Sequence, residues 1–183
     1  PYDKNGNLKT SKTPDNITTA YTYDNLNRQT SVSQPGLDEN GKKVTITQKT
    51  TYNWEGKPLT RTDARGKTTQ YSYTQRGLLE TITDAQSGIT AYYYDQGGRL
   101  TAEVSPENYK AGELSGMNRV EYTYDTMDRL ITKRDTYLDP ETKEWKTVIS
   151  KAYAYDANGN ITKELNALGY EAGTGDTAGK IKT

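Results

Sequence analysis

One tyrosine recurs along this chain with fixed neighbours, and that recurrence restricts the fold more than any other feature. Aligned on Tyr2, Tyr23, Tyr52, Tyr73, Tyr94, Tyr124 and Tyr155, the successive spacings are 21, 29, 21, 21, 30 and 31 residues. A block of 21 residues accounts for three of these spacings, and the other three carry about 8–10 extra residues each. Self-similarity at such a period means that each block is one supersecondary element, burying its apolar surface only against its neighbours. The expected organisation is a single array over residues 1–183 with about seven blocks. A degenerate eighth begins near Gly175, where Asp176, Gly179 and Ile181 keep the phase without the tyrosine.

The interior of the block predicts a β-hairpin. Tyrosines or threonines stand two residues before the aligned tyrosine, as in Tyr21, Tyr71, Tyr92, Tyr122 and Tyr153. Val120, Tyr122 and Tyr124 alternate with Glu121 and Thr123, a period of two that puts the tyrosines on one face of a strand. Tyr, Thr, Val and Ile are also the residues that favour strands. Asp24, Asp95, Asp125 and Asp156 follow their tyrosines directly, and Gly77, Gly98 and Gly159 stand four residues after theirs. Asp bonds backbone groups two residues on, and Gly accepts positive φ, so Asp-x-x-Gly turns the chain. Arg99-Leu100 and Arg129-Leu130 then open a second strand, with Leu100, Ala102 and Val104 on one face.

The extra residues fall at one phase of the block, approximately Pro35–Lys43, Pro106–Asn118 and Tyr137–Thr147. Leu37-Asp38-Glu39-Asn40-Gly41 resembles Leu138-Asp139-Pro140-Glu141-Thr142, and both carry turn residues, so these two insertions are expected to lengthen hairpins.

Composition narrows the function classes. Lysine plus arginine equals aspartate plus glutamate at 24 each, which argues against nucleic acid as a partner, because nucleic-acid-binding domains are strongly basic. There is no Cys and no His, so the chain alone builds no disulfide, no thiolate metal site and no Ser-His-Asp or Cys-His catalytic arrangement. No cofactor is expected. Phe is absent while Tyr occurs 16 times, which predicts a thin, half-buried sheet face rather than a thick apolar core. No apolar run approaches the roughly 18 residues of a membrane span.

Candidate sites are few. The paired tyrosines, with Trp54 and Trp145, either stack on sugars or pack the sheet face. The run Asp156-Ala157-Asn158-Gly159-Asn160 echoes the start of a calcium loop, but the twelfth position is Ala167 rather than a bidentate Glu, so a hairpin turn is expected. Arg28, Arg99 and Arg129 are expected to bond carboxylates of adjacent turns, such as Asp24, Asp95 and Asp125, as a structural ladder. Carboxylates are abundant, but none stands apart from the repeat as a catalytic pair, and no enzyme activity is expected.

Tyr92–Leu100 (YYYDQGGRL) and Tyr122–Leu130 (YTYDTMDRL) resemble the signature of the rearrangement-hotspot (RHS), or YD-repeat, family. The resemblance covers nearly the whole chain, with Gln29 and Pro58 standing where Leu is usual. It implies an all-β fold of tandem hairpins in a curved or spiralling antiparallel sheet, an open segment of a hollow shell. It further implies a secreted or cell-surface protein whose shell encloses or displays a C-terminal toxin or effector domain. Adhesion through glycan or protein is the alternative. The family also has a self-cleaving aspartate near an Asp-Pro-x-Gly pattern. Asp139-Pro140-Glu141-Thr142 does not fit that pattern, so no cleavage residue is assigned. The chain begins inside a repeat and reads as a segment of a longer protein. Partners are therefore neighbouring repeats, with edge-to-edge self-association expected where strands lack a neighbour.

Overall fold

The computed structural model describes residues 1–166. The expected eighth block near Gly175 lies outside them. Among the described residues the fold is all-β, with thirteen antiparallel strands in chain order. The chain divides into two compact units, the first spanning Pro1–Gly88 and the second beginning at Ile89.

The N-terminal unit holds β1 (Thr10–Lys12), β2 (Thr18–Tyr23), β3 (Gln29–Leu37), β4 (Lys43–Tyr52), β5 (Pro58–Thr62), β6 (Thr68–Tyr73) and β7 (Leu79–Thr83). Within it each strand pairs antiparallel with the next. The C-terminal unit holds β8 (Ile89–Tyr94), β9 (Leu100–Val104), β10 (Arg119–Tyr124), β11 (Leu130–Leu138), β12 (Trp145–Tyr155) and β13 (Ile161–Asn166), paired in the same manner. Among the described residues no helix is long and apolar enough to cross a membrane.

The hairpin repeats down to its irregularity. In every block with a paired second strand the register slips by one residue beside the aligned tyrosine. Thr22 faces Ser31 and Tyr23 faces Gln29, Thr51 faces Thr60 and Tyr52 faces Pro58, and Thr123 faces Thr132 and Tyr124 faces Leu130. The extra residue is a β-bulge, which bends the strand and sharpens its twist. Gln29 and Pro58 occupy the same place as Leu130, so replacing Leu there leaves the register intact.

The turns explain the Asp-x-x-Gly spacing. Asp95 Oδ1 accepts the backbone N–H of Arg99 at 3.0 Å, and the Asp95 N–H donates back to the Arg99 carbonyl at 3.0 Å. Gly98 sits between them at φ +89°, in the left-handed region. Asn27 (φ 60°) and Asp128 (φ 63°) hold the same place in their blocks, consistent with the tolerance of Asn and Asp for that conformation. A second turn of identical chemistry joins consecutive blocks. Asp63 and Asp84 accept from backbone N–H groups two and four residues on, between 2.8 and 2.9 Å. Where a block is longer, the strand runs on and the turn moves to Asp38 or Asp139. The first and third insertions thus lengthen hairpins β3–β4 and β11–β12.

The second insertion folds differently. It carries a short 3-10 turn at Leu114–Gly116 and packs Met117 onto Ala91 and Val104, with Tyr93, Tyr109 and Leu114 around them. Met117 and Val104 are 1% and 0% exposed and are the largest side chains fully buried among the described residues. The paired tyrosines themselves stay half-buried. In β8, Ala91 and Tyr93 face the core while Tyr92 and Tyr94 alternate to the other side.

Candidate functional site

The repeated positions form a side-chain interlock between consecutive blocks. The aligned tyrosine donates its hydroxyl to a backbone carbonyl of the preceding block. Tyr23 bonds Leu8 (3.1 Å), Tyr52 bonds Gln29 (2.9 Å), Tyr73 bonds Pro58 (2.8 Å), Tyr124 bonds Leu100 (2.8 Å) and Tyr155 bonds Leu130 (2.8 Å). All five acceptors stand six residues after their own block's tyrosine, the position of the signature leucine. Because a carbonyl oxygen is indifferent to its side chain, Gln29 and Pro58 serve as well as Leu.

The residue before that position reaches forward. Arg28 Nη1 donates to the Asn53 carbonyl at 2.7 Å, and Arg129 Nη1 to that of Asp156 at 3.1 Å. Arg99 Nη1 reaches Asp128 Oδ1 at 2.7 Å, Asn7 reaches Asn27 Oδ1 at 2.8 Å, and Lys57 reaches the Gly77 carbonyl at 2.7 Å. Each of the three arginines also lies over the next block's tyrosine ring: Arg28 over Tyr52 at 4.8 Å, Arg99 over Tyr124 at 5.3 Å and Arg129 over Tyr155 at 4.6 Å. Such stacking is the cation–π geometry.

The arginine ladder takes two forms. Each arginine pairs with the carboxylate of its own turn, Arg28–Asp24 at 2.6 Å, Arg99–Asp95 at 2.7 Å and Arg129–Asp125 at 2.6 Å, and Arg99 pairs in addition with a carboxylate of the next block's turn, Asp128 at 2.7 Å. Nε points back along the hairpin to the Asp of its own turn, which frees Nη1 to cross to the next block. Asp95 and Asp125 have their pKa lowered, first by the backbone N–H of Arg99 and Arg129 respectively. Asp156 is lowered first by the side chain of Asn160, and its run forms the expected hairpin turn, with Gly159 at φ +88°.

A further repeated contact escaped the sequence reading. On the face opposite the tyrosine pair, cross-strand hydroxyls meet at one phase: Thr22–Ser31 (2.7 Å), Thr51–Thr60 (2.7 Å), Ser72–Thr81 (2.7 Å) and Thr123–Thr132 (2.6 Å). These pairs give the Thr-rich stretches a task and contribute about 0.2–1 kcal/mol each. The signal was legible as hydroxyl residues nine apart in the sequence.

The two tryptophans differ in their surroundings. Trp54 is 85% exposed at a turn tip, and Trp145 opens β12 with Arg119 5.7 Å above its ring. Each unit also holds an open groove on its tyrosine face. That of the N-terminal unit is about 510 Å3 and includes Arg61, Lys67 and Tyr71. That of the C-terminal unit is about 390 Å3 and includes Glu103, Tyr122, Lys133 and Asp135. Burial, and then the charge of Glu103, pushes the Tyr122 hydroxyl up to about 12, so it is a proton donor at ordinary pH.

Hairpins of one register, tied to one another by side chains at fixed positions, define a tandem β-hairpin repeat protein. The RHS-repeat family profile matches residues 2–36 and 52–89, so these stretches are RHS repeats. Solved structures share the fold. The crystal structure of TcdB2-TccC3-Cdc42 matches with a TM-score of 0.64 at 17% identity, over 92% of this chain and 9% of that one. The crystal structure of TcdB2-TccC3 gives 0.64 at 19%, over 90% and 9%. A Tc holotoxin pore from Photorhabdus luminescens with a TccC3 mutation gives 0.64 at 19%, over 90% and 8%. At these identities the likeness is one of fold, and this chain spans about a tenth of their length. No curated protein matches the sequence.

Proposed function

We propose that this chain is a structural stretch of an RHS-type shell that encloses or displays a toxin or effector domain of a secreted or cell-surface protein. The observation that carries the reading is the interlock. The signature side chains spend their hydrogen bonds on backbone and neighbouring blocks, the disposition of a wall rather than of a catalytic centre. The phase runs through the sequence of both units, which supports one array over residues 1–183 with Tyr23, Tyr52, Tyr73, Tyr124 and Tyr155 as its repeated ties. Accumulating twist along such an array curves it. Strands without a neighbour favour edge-to-edge association. The fold likeness to the TcdB2-TccC3 structures supports the same reading. The test is protease protection in the parent protein. A non-repeat domain resistant until the repeats are loosened by urea supports enclosure, whereas cleavage at the same rate with the repeats intact refutes it.

A second reading, recognition of glycan or protein at the turn tips, is favoured by the exposure of Trp54. Binding that disappears in Trp54→Ala would support it, and binding indifferent to that change would remove it.

A further inference from the structure

Three turns carry the same dipeptide: Asn5-Gly6, Asn40-Gly41 and Asn158-Gly159. Locally they are alike. The glycines take φ +86°, +76° and +88°, and their N–H groups donate to the carbonyls of Asp3 (3.2 Å), Asp38 (3.0 Å) and Asp156 (3.1 Å). Each of the three asparagines is exposed. Sequence and turn geometry therefore give the three pairs one intrinsic reactivity, and their surroundings alone set them apart.

Two of the pairs are held. The turn of Asn5 is clamped by Asn7, whose side chain donates to Asp3 Oδ2 at 2.9 Å, and the Asn5 amide donates to Asn27 Oδ1 of the next block at 2.9 Å. The turn of Asn158 is clamped by Asn160, which donates to Asp156 Oδ2 at 2.9 Å, while Arg129 of the preceding block holds the Asp156 carbonyl at 3.1 Å. The turn of Asn40 has neither tie. Lys42 stands where Asn7 and Asn160 stand in the others. The backbone N–H groups of Asn40 and Lys42 reach the Asp38 carboxylate at 3.0 and 2.9 Å, but among the described residues their side chains make no hydrogen bond or ion pair. This turn also stands on an arm. β3 is paired with β2 only as far as Ser33, and β4 with β5 only from Lys49, so residues 34–37 and 43–48 have only each other as register partners. A lone two-stranded ribbon is marginally stable at best.

Asparagine followed by glycine is open to self-reaction, because no Cβ shields the following amide nitrogen. The hydrogen bond on the glycine N–H must break before that nitrogen can attack, so the rate follows how often each turn opens. We propose that Asn40-Gly41 is a spontaneous modification site, and that the block interlock withholds Asn5 and Asn158 from the same reaction. The Gly41 nitrogen bonds to Asn40 Cγ, the Cγ–Nδ2 bond breaks, and the side-chain nitrogen leaves as ammonia with the amide proton. Water then opens the cyclic imide at either carbonyl, leaving aspartate or isoaspartate. Either product sets a new carboxylate beside Asp38 and Glu39, so the arm ends in a run of three acids and a chain of zero formal charge turns acidic. The isoaspartate form also lengthens the turn backbone by one methylene. The reaction belongs to the arm and does not depend on the shell reading.

The test incubates the whole chain in mildly alkaline buffer and follows it by isoelectric focusing and peptide mass mapping. An acidic isoform should accumulate and map to residue 40, with conversion at Asn5 and Asn158 slower by about tenfold or more, because those turns open less often. In concentrated urea, where no turn persists, the three sites should convert at rates within about threefold of one another. Asn40→Gln should abolish the early acidic isoform. Equal conversion at the three sites of the folded chain, whether fast or absent, would overturn the proposal. So would faster conversion at Asn5 or Asn158 than at Asn40, rates in urea that keep the folded ranking, or an early acidic isoform undiminished in Asn40→Gln.

Discussion

Met117→Ala is the change that most sharply separates the two units. Met117 is 1% exposed and closes a cluster with Ala91 and Val104 under the second insertion. The substitution deletes every side-chain atom beyond Cβ and leaves a hole lined by Val104, Tyr93 and Leu114. Met-to-Ala changes in cores cost about 2–5 kcal/mol, depending on how well the site collapses. Here the residue comes from an inserted loop rather than a strand, and a loop relaxes more readily, which places the cost at about 2–3 kcal/mol. With a urea slope of about 2 kcal/mol/M the midpoint falls by about 1–1.5 M. Trp145 is the natural reporter. Arg119 lies over its ring and donates to the carbonyls of Leu114 (3.3 Å) and Met117 (3.1 Å), so the ring senses the insertion directly. In a Trp54→Phe background, Trp145 fluorescence should show the full shift. An unchanged midpoint would refute the claim that the insertion supplies the C-terminal unit with its core.

Three other outcomes follow from the same geometry. Tyr73→Phe, Tyr124→Phe and Tyr155→Phe each keep the ring and lose one hydroxyl bond, and each should lower unfolding free energy by about 0.5–1.5 kcal/mol in urea melts. Gly77→Ala meets φ +73° and a Cβ position 2.0 Å from Lys57 Nζ. The lysine tip can move but the backbone cannot, so calorimetry should show a loss of about 1–2 kcal/mol. The turn carboxylates Asp95, Asp125 and Asp156 have depressed pKa values in the folded chain. Their stabilisation is complete above the unfolded-state pKa near 3.9 and is lost as pH falls through the lower folded values. Circular-dichroism melts should therefore be flat from pH 5 to 7, where a chain without His has little to titrate, and fall steeply below pH 4. Asp95→Asn should reduce that acid dependence.

Much of the fold was legible because the repeat carries its own chemistry. Period-two tyrosines and Asp-x-x-Gly placed the strands and the first turn of each block. Asp63 and Asp84 were not read as a second turn, since one Asp without a following signature leaves turn and strand open. The own-turn ion pairs of Arg28, Arg99 and Arg129 were not foreseen, because sequence spacing cannot say that Nε bonds its own turn while Nη1 crosses to the next. The insertion Pro106–Asn118, which carries Met117, was read only as length. Its role depends on a contact with Ala91 some 26 positions earlier, which no local pattern encodes.

The central claim is that every block folds into the same hairpin with the same bulge beside its tyrosine. Nuclear Overhauser contacts between backbone protons of facing strands test it most directly. The account predicts contacts linking Thr22 with Ser31, Ser72 with Thr81 and Thr123 with Thr132, and none at a register shifted by one residue. Different registers in the three blocks, or sequential helical contacts through Tyr23, Tyr73 and Tyr124, would contradict it.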